Sequence, residues 1–129
     1  HDSKYRNKKF LLPKLINAIK NNDINFIKQI YKSNIVGDFS HAEDICDAIY
    51  LIIKKKIILK KLILSSGKKT RINYLIDYLL KKYKLKIKLN RTNFKKKCLI
   101  GNNNLARNKI NWKIKKNIFI AANEIYKNI

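Results

Sequence analysis

The chain has 129 residues, 31 of them Lys or Arg against eight Asp or Glu, for a net charge of +23. That length suits one domain, residues 1–129, with a modest core, and an apolar share of 46% excludes a chain left disordered for want of core residues. Cys46 and Cys98 give neither a metal spacing nor a disulfide framework. No apolar run is long enough to span a bilayer and no secretory leader is visible, so the chain reads as cytoplasmic, with no membrane partner.

In chain order, the first helix is expected from about Leu12 to Lys20: Pro13 suits its first turn, and Leu11, Leu12, Leu15 and Ile19 share a face. Asn21-Asn22-Asp23 ends it. Asn25 to Tyr31 reads as a strand and Lys32 to Gly37 as loop. A second helix covers about His41 to Lys55. Ser40 and Glu43 stand at the spacing of a capping box that would start it. Its apolar positions 42, 45, 46, 49, 52 and 53 follow the helical period, which makes Cys46 a small core residue. Ile57 to Ser65 is β-rich, its best strand Lys61 to Ser65. Thr70 caps an amphipathic helix carrying Ile72, Leu75, Ile76, Leu79, Leu80 and Tyr83 on one face. Lys86 to Asn90 alternates as a short strand, Asn104 to Lys109 forms a short helix, and Ile118 to Asn128 the last one. Short strands among about five helices make the fold class α/β, a mixed α+β arrangement.

The eight acids are not spread evenly. Asp38, Glu43, Asp44 and Asp47 fall within ten residues of a strongly basic chain. Helix starting accounts for part of this, because negative charge is favoured in the first turns. It requires neither His41 nor Phe39 of the string Asp38-Phe39-Ser40-His41-Ala42-Glu43-Asp44.

The basic charge is carried by 27 Lys and only four Arg. Arg is the residue that forks onto phosphate and guanine, and Lys, Asn and Ile are what AT-rich codons encode. The lysine runs are scattered, and no helix-turn-helix, zinc finger or RNA-binding aromatic pair is visible. Specific nucleic-acid binding is therefore not expected, while weak, salt-sensitive polyanion binding follows from charge alone. A basic nucleic-acid-binding module remains the alternative from a different class.

The string from Asp38 to Asp44, ahead of a helix, resembles the GDP-mannose 4,6-dehydratases of the extended short-chain dehydrogenase/reductase (NAD-dependent epimerase/dehydratase) family. Two further stretches agree in order: His1-Asp2-Ser3-Lys4-Tyr5-Arg6 with Phe10 to Lys14, and Gly101-Asn102-Asn103-Asn104-Leu105-Ala106 with Asn111-Trp112-Lys113. The resemblance implies the C-terminal, substrate-binding portion of such an enzyme, with the dinucleotide-binding domain absent from this chain. It implies a nucleotide-sugar substrate, NADP or NAD bound mainly by that other domain, and a parent enzyme that forms homo-oligomers. Its parent reaction converts GDP-mannose to GDP-4-keto-6-deoxymannose. Another nucleotide-sugar epimerase or reductase of the family is the closest alternative.

Site residues carry over one at a time. His1 and Arg6 match cofactor-binding positions, Arg6 as a guanidinium for a phosphate. Lys14 and Arg91 match substrate-binding positions, Lys14 at the start of a helix that can meet a diphosphate. His41 is read as a packing and hydrogen-bonding residue near the nucleotide, not a catalyst. The pattern is departed from at Gly37, where the family has Arg, and at Tyr5, Asn93, Phe94 and Leu105. The three glycines, Gly37, Gly67 and Gly101, cannot form a phosphate-cradling Gly-rich turn. The Tyr-x-x-x-Lys spacings Tyr5/Lys9, Tyr50/Lys54 and Tyr78/Lys82 are what this much Lys supplies by chance. The family's own pair lies upstream of the segment that here begins at residue 1. No catalytic residue is assigned, and the chain alone is expected to be inactive.

Overall fold

A computed structural model describes residues 1–90 and 97–129. The described residues form six helices and one two-stranded sheet, an α/β arrangement. Helix α1 (Leu11–Lys20) buries Leu12, Leu15, Ile16 and Ile19 on one stripe. It ends at Asn21 and Asn22, the latter at φ +56°, a conformation Asn tolerates.

The segment expected as a strand is instead α2 (Ile24–Ser33). Asp23 caps it, its Oδ1 accepting from the Phe26 amide at 3.1 Å. Ile27 and Tyr31 are fully buried, while Phe26 and Ile30 pack beside them. That is a helical spacing, and it overrides the β preference of the aromatic and β-branched residues. Asn34 closes α2 in the left-handed conformation.

The loop expected before the acidic cluster contains β1 (Val36–Asp38), followed by α3 (Ala42–Lys54). β1 pairs antiparallel with β2 (Lys69–Arg71), matching Val36 to Arg71, Gly37 to Thr70 and Asp38 to Lys69. Thr70 is thus a strand residue and caps nothing. Helix α4 (Ile72–Lys82) follows directly, with Arg71 at its N-cap and no side-chain cap bond. The last two helices are α5 (Asn104–Ile110) and α6 (Ile118–Asn128).

The larger core is built where α1 packs on α2 and α6, and α2 on α4. Leu15, Ile16, Ile27, Leu75, Ile76, Leu79, Ala121 and Ile125 fill it. Each large aliphatic side chain there contributes about 1.5–3 kcal/mol of burial. A second, smaller cluster lies between α3 and α5, with Ala48, Ala106, Ile110 and Trp112 buried and Leu62 and Leu64 against them.

Two expected strands do not form a ladder. In 57–65 and 86–90 the alternation survives only as alternate burial: Leu85, Ile87 and Leu89 lean on the larger core while Lys86 and Lys88 face out. The stripe expected on α3 is also displaced. Asp44 and Ala48 are buried, whereas Cys46, Ile49, Tyr50 and Ile53 are exposed. The helix turns its acidic edge inward because Trp112 and the chain after it supply hydrogen-bond donors there.

Candidate functional site

The residues from Asp38 to Asp44 are the point on which the rest of the chain converges. Asp38 stands at the end of β1. Its carboxylate accepts from the amides of Ser66 at 2.9 Å, Gly67 at 3.0 Å and Gly101 at 3.1 Å, and from the Ser66 hydroxyl. Gly67 adopts φ +67°, and a Cβ on Gly101 would fall 2.3 Å from Ser65 Oγ and 2.4 Å from Ser65 Cβ. Gly101 therefore allows an approach that a side chain would block, and Gly67 a backbone conformation that a side chain would strain. Asn103 adds a bond from Nδ2 to the Ser65 carbonyl at 2.9 Å.

Asp44, only 2% exposed, takes the amides of Lys115 at 3.1 Å and Lys116 at 2.9 Å on its carboxylate. Its carbonyl takes the Trp112 indole N–H at 2.7 Å. The N-terminal segment joins the same point as an added strand-like bridge. Asp2 N–H donates to the Ser40 carbonyl at 3.0 Å, and Ala42 N–H donates to the Asp2 carbonyl at 2.9 Å. His1 Nδ1 lies 2.5 Å from Ser40 Oγ.

These bonds undo the expected capping box. With Ser40 engaged by His1 and Asp2, the N-cap of α3 passes to His41, whose Nδ1 accepts from the Glu43 amide at 3.1 Å. Accepting there leaves the ring proton on Nε2, which faces Glu124 Oε2 at 2.9 Å. His41 is 2% exposed, so packing and hydrogen bonding do describe it.

Around His41 the charges alternate. Lys116 Nζ meets Glu43 Oε2 at 2.5 Å and Glu124 Oε1 at 3.4 Å, and Lys115 Nζ meets Asp47 Oδ2 at 2.7 Å. The His41 hydrogen bond, then Lys116, holds the Glu124 carboxyl below its usual range, against partial burial. Hydrogen bonds to Glu43 and Asp47 hold the Lys116 and Lys115 ammonium groups above theirs. A cleft of about 410 Å³ opens beside this network, with Lys4, Tyr5, His41, Glu43, Lys116 and Glu124 among its lining residues.

The candidate site residues sit at the edges of this arrangement. His1 is exposed and anchored on Ser40. Arg6 is exposed, 3.8 Å from Asp2 Oδ1, with its guanidinium 3.6 Å from the Phe10 ring centroid. Lys14 is exposed on α1, its ammonium 4.9 Å from the Phe26 ring centroid. None of the three lines the cleft. Arg91, Asn93 and Phe94 lie outside the described residues. Glu124, Lys115 and Lys116 were not singled out from the sequence. The available clue was that Glu124 is the only acid after Asp77. Among the described residues, no group of three His, Cys, Asp or Glu gathers as for a metal, and no helix is long and apolar enough to cross a membrane.

No family model matches the chain, and no curated protein matches it by sequence. Solved structures do. RMD from Pseudomonas aeruginosa, complexed with NADPH, superposes with a TM-score of 0.72 at 15% identity, over 99% of this chain and 45% of that one. dTDP-glucose 4,6-dehydratase from Bacillus anthracis str. Ames, in complex with NAD, gives 0.73 at 14% identity, over 97% and 40%. The chain thus spans less than half the length of each. At these identities the likeness shows the fold alone, one shared with part of each of those two structures.

Proposed function

We propose that this chain is the substrate-binding part of a nucleotide-sugar dehydratase of the GDP-mannose 4,6-dehydratase kind. The observation that carries the reading is the convergence at Asp38–Asp44. Three stretches that resemble the family, far apart in sequence, meet there through the Asp2 bridge, the Gly101 amide and the Trp112 indole. The fold likeness to two structures holding nicotinamide cofactors, one of them a dTDP-glucose 4,6-dehydratase, supports it.

In this reading a nicotinamide cofactor, when bound by the whole enzyme, would supply reversible hydride chemistry for the loss of water from the sugar. The residues present fit only the margin of such a cofactor. Gly37 is locked in β1, Gly101 against Ser65 and Gly67 beside Asn103, so this chain offers no glycine cradle for a pyrophosphate. The exposed guanidinium of Arg6, with His1 beside Ser40, would meet a cofactor phosphate from the edge. Lys14 and Arg91 would neutralise the sugar donor's diphosphate. The acid/base pair and the cofactor cradle belong to a separate dinucleotide-binding domain, through which a cytoplasmic parent enzyme would also self-associate.

The test is titration of the 129-residue chain with GDP-mannose, dTDP-glucose and NADP, followed by amide NMR. GDP-mannose is expected to shift resonances around Lys14 and Arg91, with binding weakened in Lys14→Met and Arg91→Met. No turnover is expected from the chain alone. Absence of any nucleotide-sugar response at millimolar ligand, or turnover without a second domain, would overturn the reading. Salt-resistant binding to one RNA structure would replace it.

A further inference from the structure

Helices α4 and α6 meet through a polar contact that the function above does not use. Tyr78 on α4 is half-buried against α6, its ring edge-on to Phe119 with centroids 5.1 Å apart. Its Oη receives two donors: Asn123 Nδ2 at 2.7 Å and Lys82 Nζ at 3.1 Å. Asn123 is itself fixed. Its Nδ2 also donates to the Phe119 carbonyl at 2.8 Å, and its Oδ1 accepts from Tyr83 Oη at 3.2 Å. Tyr83 is stacked on Tyr126 at 3.5 Å between centroids.

One carboxamide therefore treats two phenols oppositely. Its N–H side donates to Tyr78, and its carbonyl side holds the proton of Tyr83. We propose that Tyr78 Oη is a reactive nucleophile, a site that accepts an acyl group from an activated donor.

The physical basis is that hydrogen bonds donated to a phenol oxygen favour the anion, and a neighbouring ammonium adds to the effect. The Asn123 bond, and after it Lys82, hold the Tyr78 phenol below its usual range despite partial burial. Burial pushes Tyr83 up. Among the described residues, the groups facing Tyr78 are Lys82 and Tyr83 at the end of α4, and Phe119 and Asn123 on α6. Among the described residues no carboxylate is bonded to its oxygen. Lys82 is exposed and Tyr78 itself is only partly buried.

The step balances without a redox partner. Oη attacks the carbonyl carbon of N-acetylimidazole, the C–N bond to imidazole breaks, and imidazole leaves with the phenol's proton. The product is the Tyr78 acetyl ester.

The experiment treats the full chain with N-acetylimidazole across pH and maps acetylation of the seven tyrosines by peptide mass spectrometry. Exposed Tyr5 and Tyr74 serve as the ordinary phenols. Tyr78 is expected to reach half its plateau rate at a lower pH than both, and Tyr83 to stay unmodified. Below that plateau, Lys82→Gln and Asn123→Ala should each slow Tyr78 by roughly three- to tenfold, the scale of one lost hydrogen bond. Lys82 lies on the surface, so its variant decides the matter even where the Asn123 variant unfolds. A Tyr78 profile that coincides with those of Tyr5 and Tyr74, or that Lys82→Gln leaves in place, overturns the proposal.

Discussion

The two halves of this molecule are held by different physics. The core between α1, α2, α4 and α6 is a matter of period. Apolar side chains recur every three or four residues, and burial does the rest. The cluster around α3, α5 and Trp112 has few large buried side chains. It relies on Asp38 and Asp44, whose carboxylates gather amides from 28 to 72 residues away. One half is a sum of many small, interchangeable contacts. The other depends on a few acceptors, each serving several donors.

That contrast can be broken by substitution. The largest effect is expected at Trp112, the largest side chain buried at the junction. Trp112→Ala should cost about 3–5 kcal/mol, against about 2–5 for Ile76→Ala in the helical core, read by denaturant titration. Hydrogen exchange should separate the two, with Trp112→Ala exposing α5 and the chain after it while α1 and α6 stay protected. Uniform loss of protection would mean that the halves are one cooperative unit.

Next in size is Asp44→Ala, which leaves the Lys115 and Lys116 amides without their acceptor at about 1–3 kcal/mol for each that stays buried. Asp44→Asn should recover part of this, since one oxygen remains. Equal damage from both variants would shift the importance from acceptor to charge.

Gly101→Ala follows, at about 1–3 kcal/mol for forcing a methyl onto Ser65. Ser65→Gly in the same chain should rescue it, and failure of the rescue would discard the steric account.

The smallest effect is that of pH. Glu124 has a depressed carboxyl pKa in the folded chain. Its stabilisation is complete above the unfolded carboxylate range of about 4.3 and is lost as pH falls through the lower folded value. Glu124→Gln should lower the melting temperature slightly at neutral pH and flatten the acid limb, so that the two profiles converge at low pH. Partial exposure keeps the amplitude small.

The same contrast explains what could be read in advance. α1, α4 and α6 were legible because their stripes are unbroken, and the 118–128 helix has the expected limits. At 25–31 a β-rich composition concealed a helical spacing, decided by Asp23 at the cap and by Ile27 and Tyr31 against the core. The 86–90 alternation was read as a short strand but survives only as alternate burial, because a period of two says nothing about a partner strand. At the junction, the cluster of acids, the odd His41 and the lone Glu124 were visible. Their partners were not, since a carboxylate's choice of amides 60 or 70 residues away leaves no local pattern.

Asp38 has one more implication, for how this sequence can change over time. Its carboxylate is shared by Ser66, Gly67 and Gly101, so replacements at these positions are energetically coupled rather than additive. Once Asp38 is lost, altering Ser66 costs little more, while Gly101 stays constrained by Ser65 and Gly67 by its positive φ. A chain whose solvated positions have filled with lysine is thus free to drift almost everywhere on its surface, but Asp38 and Ser66 are kept, or given up, together, and the two glycines are held by geometry besides.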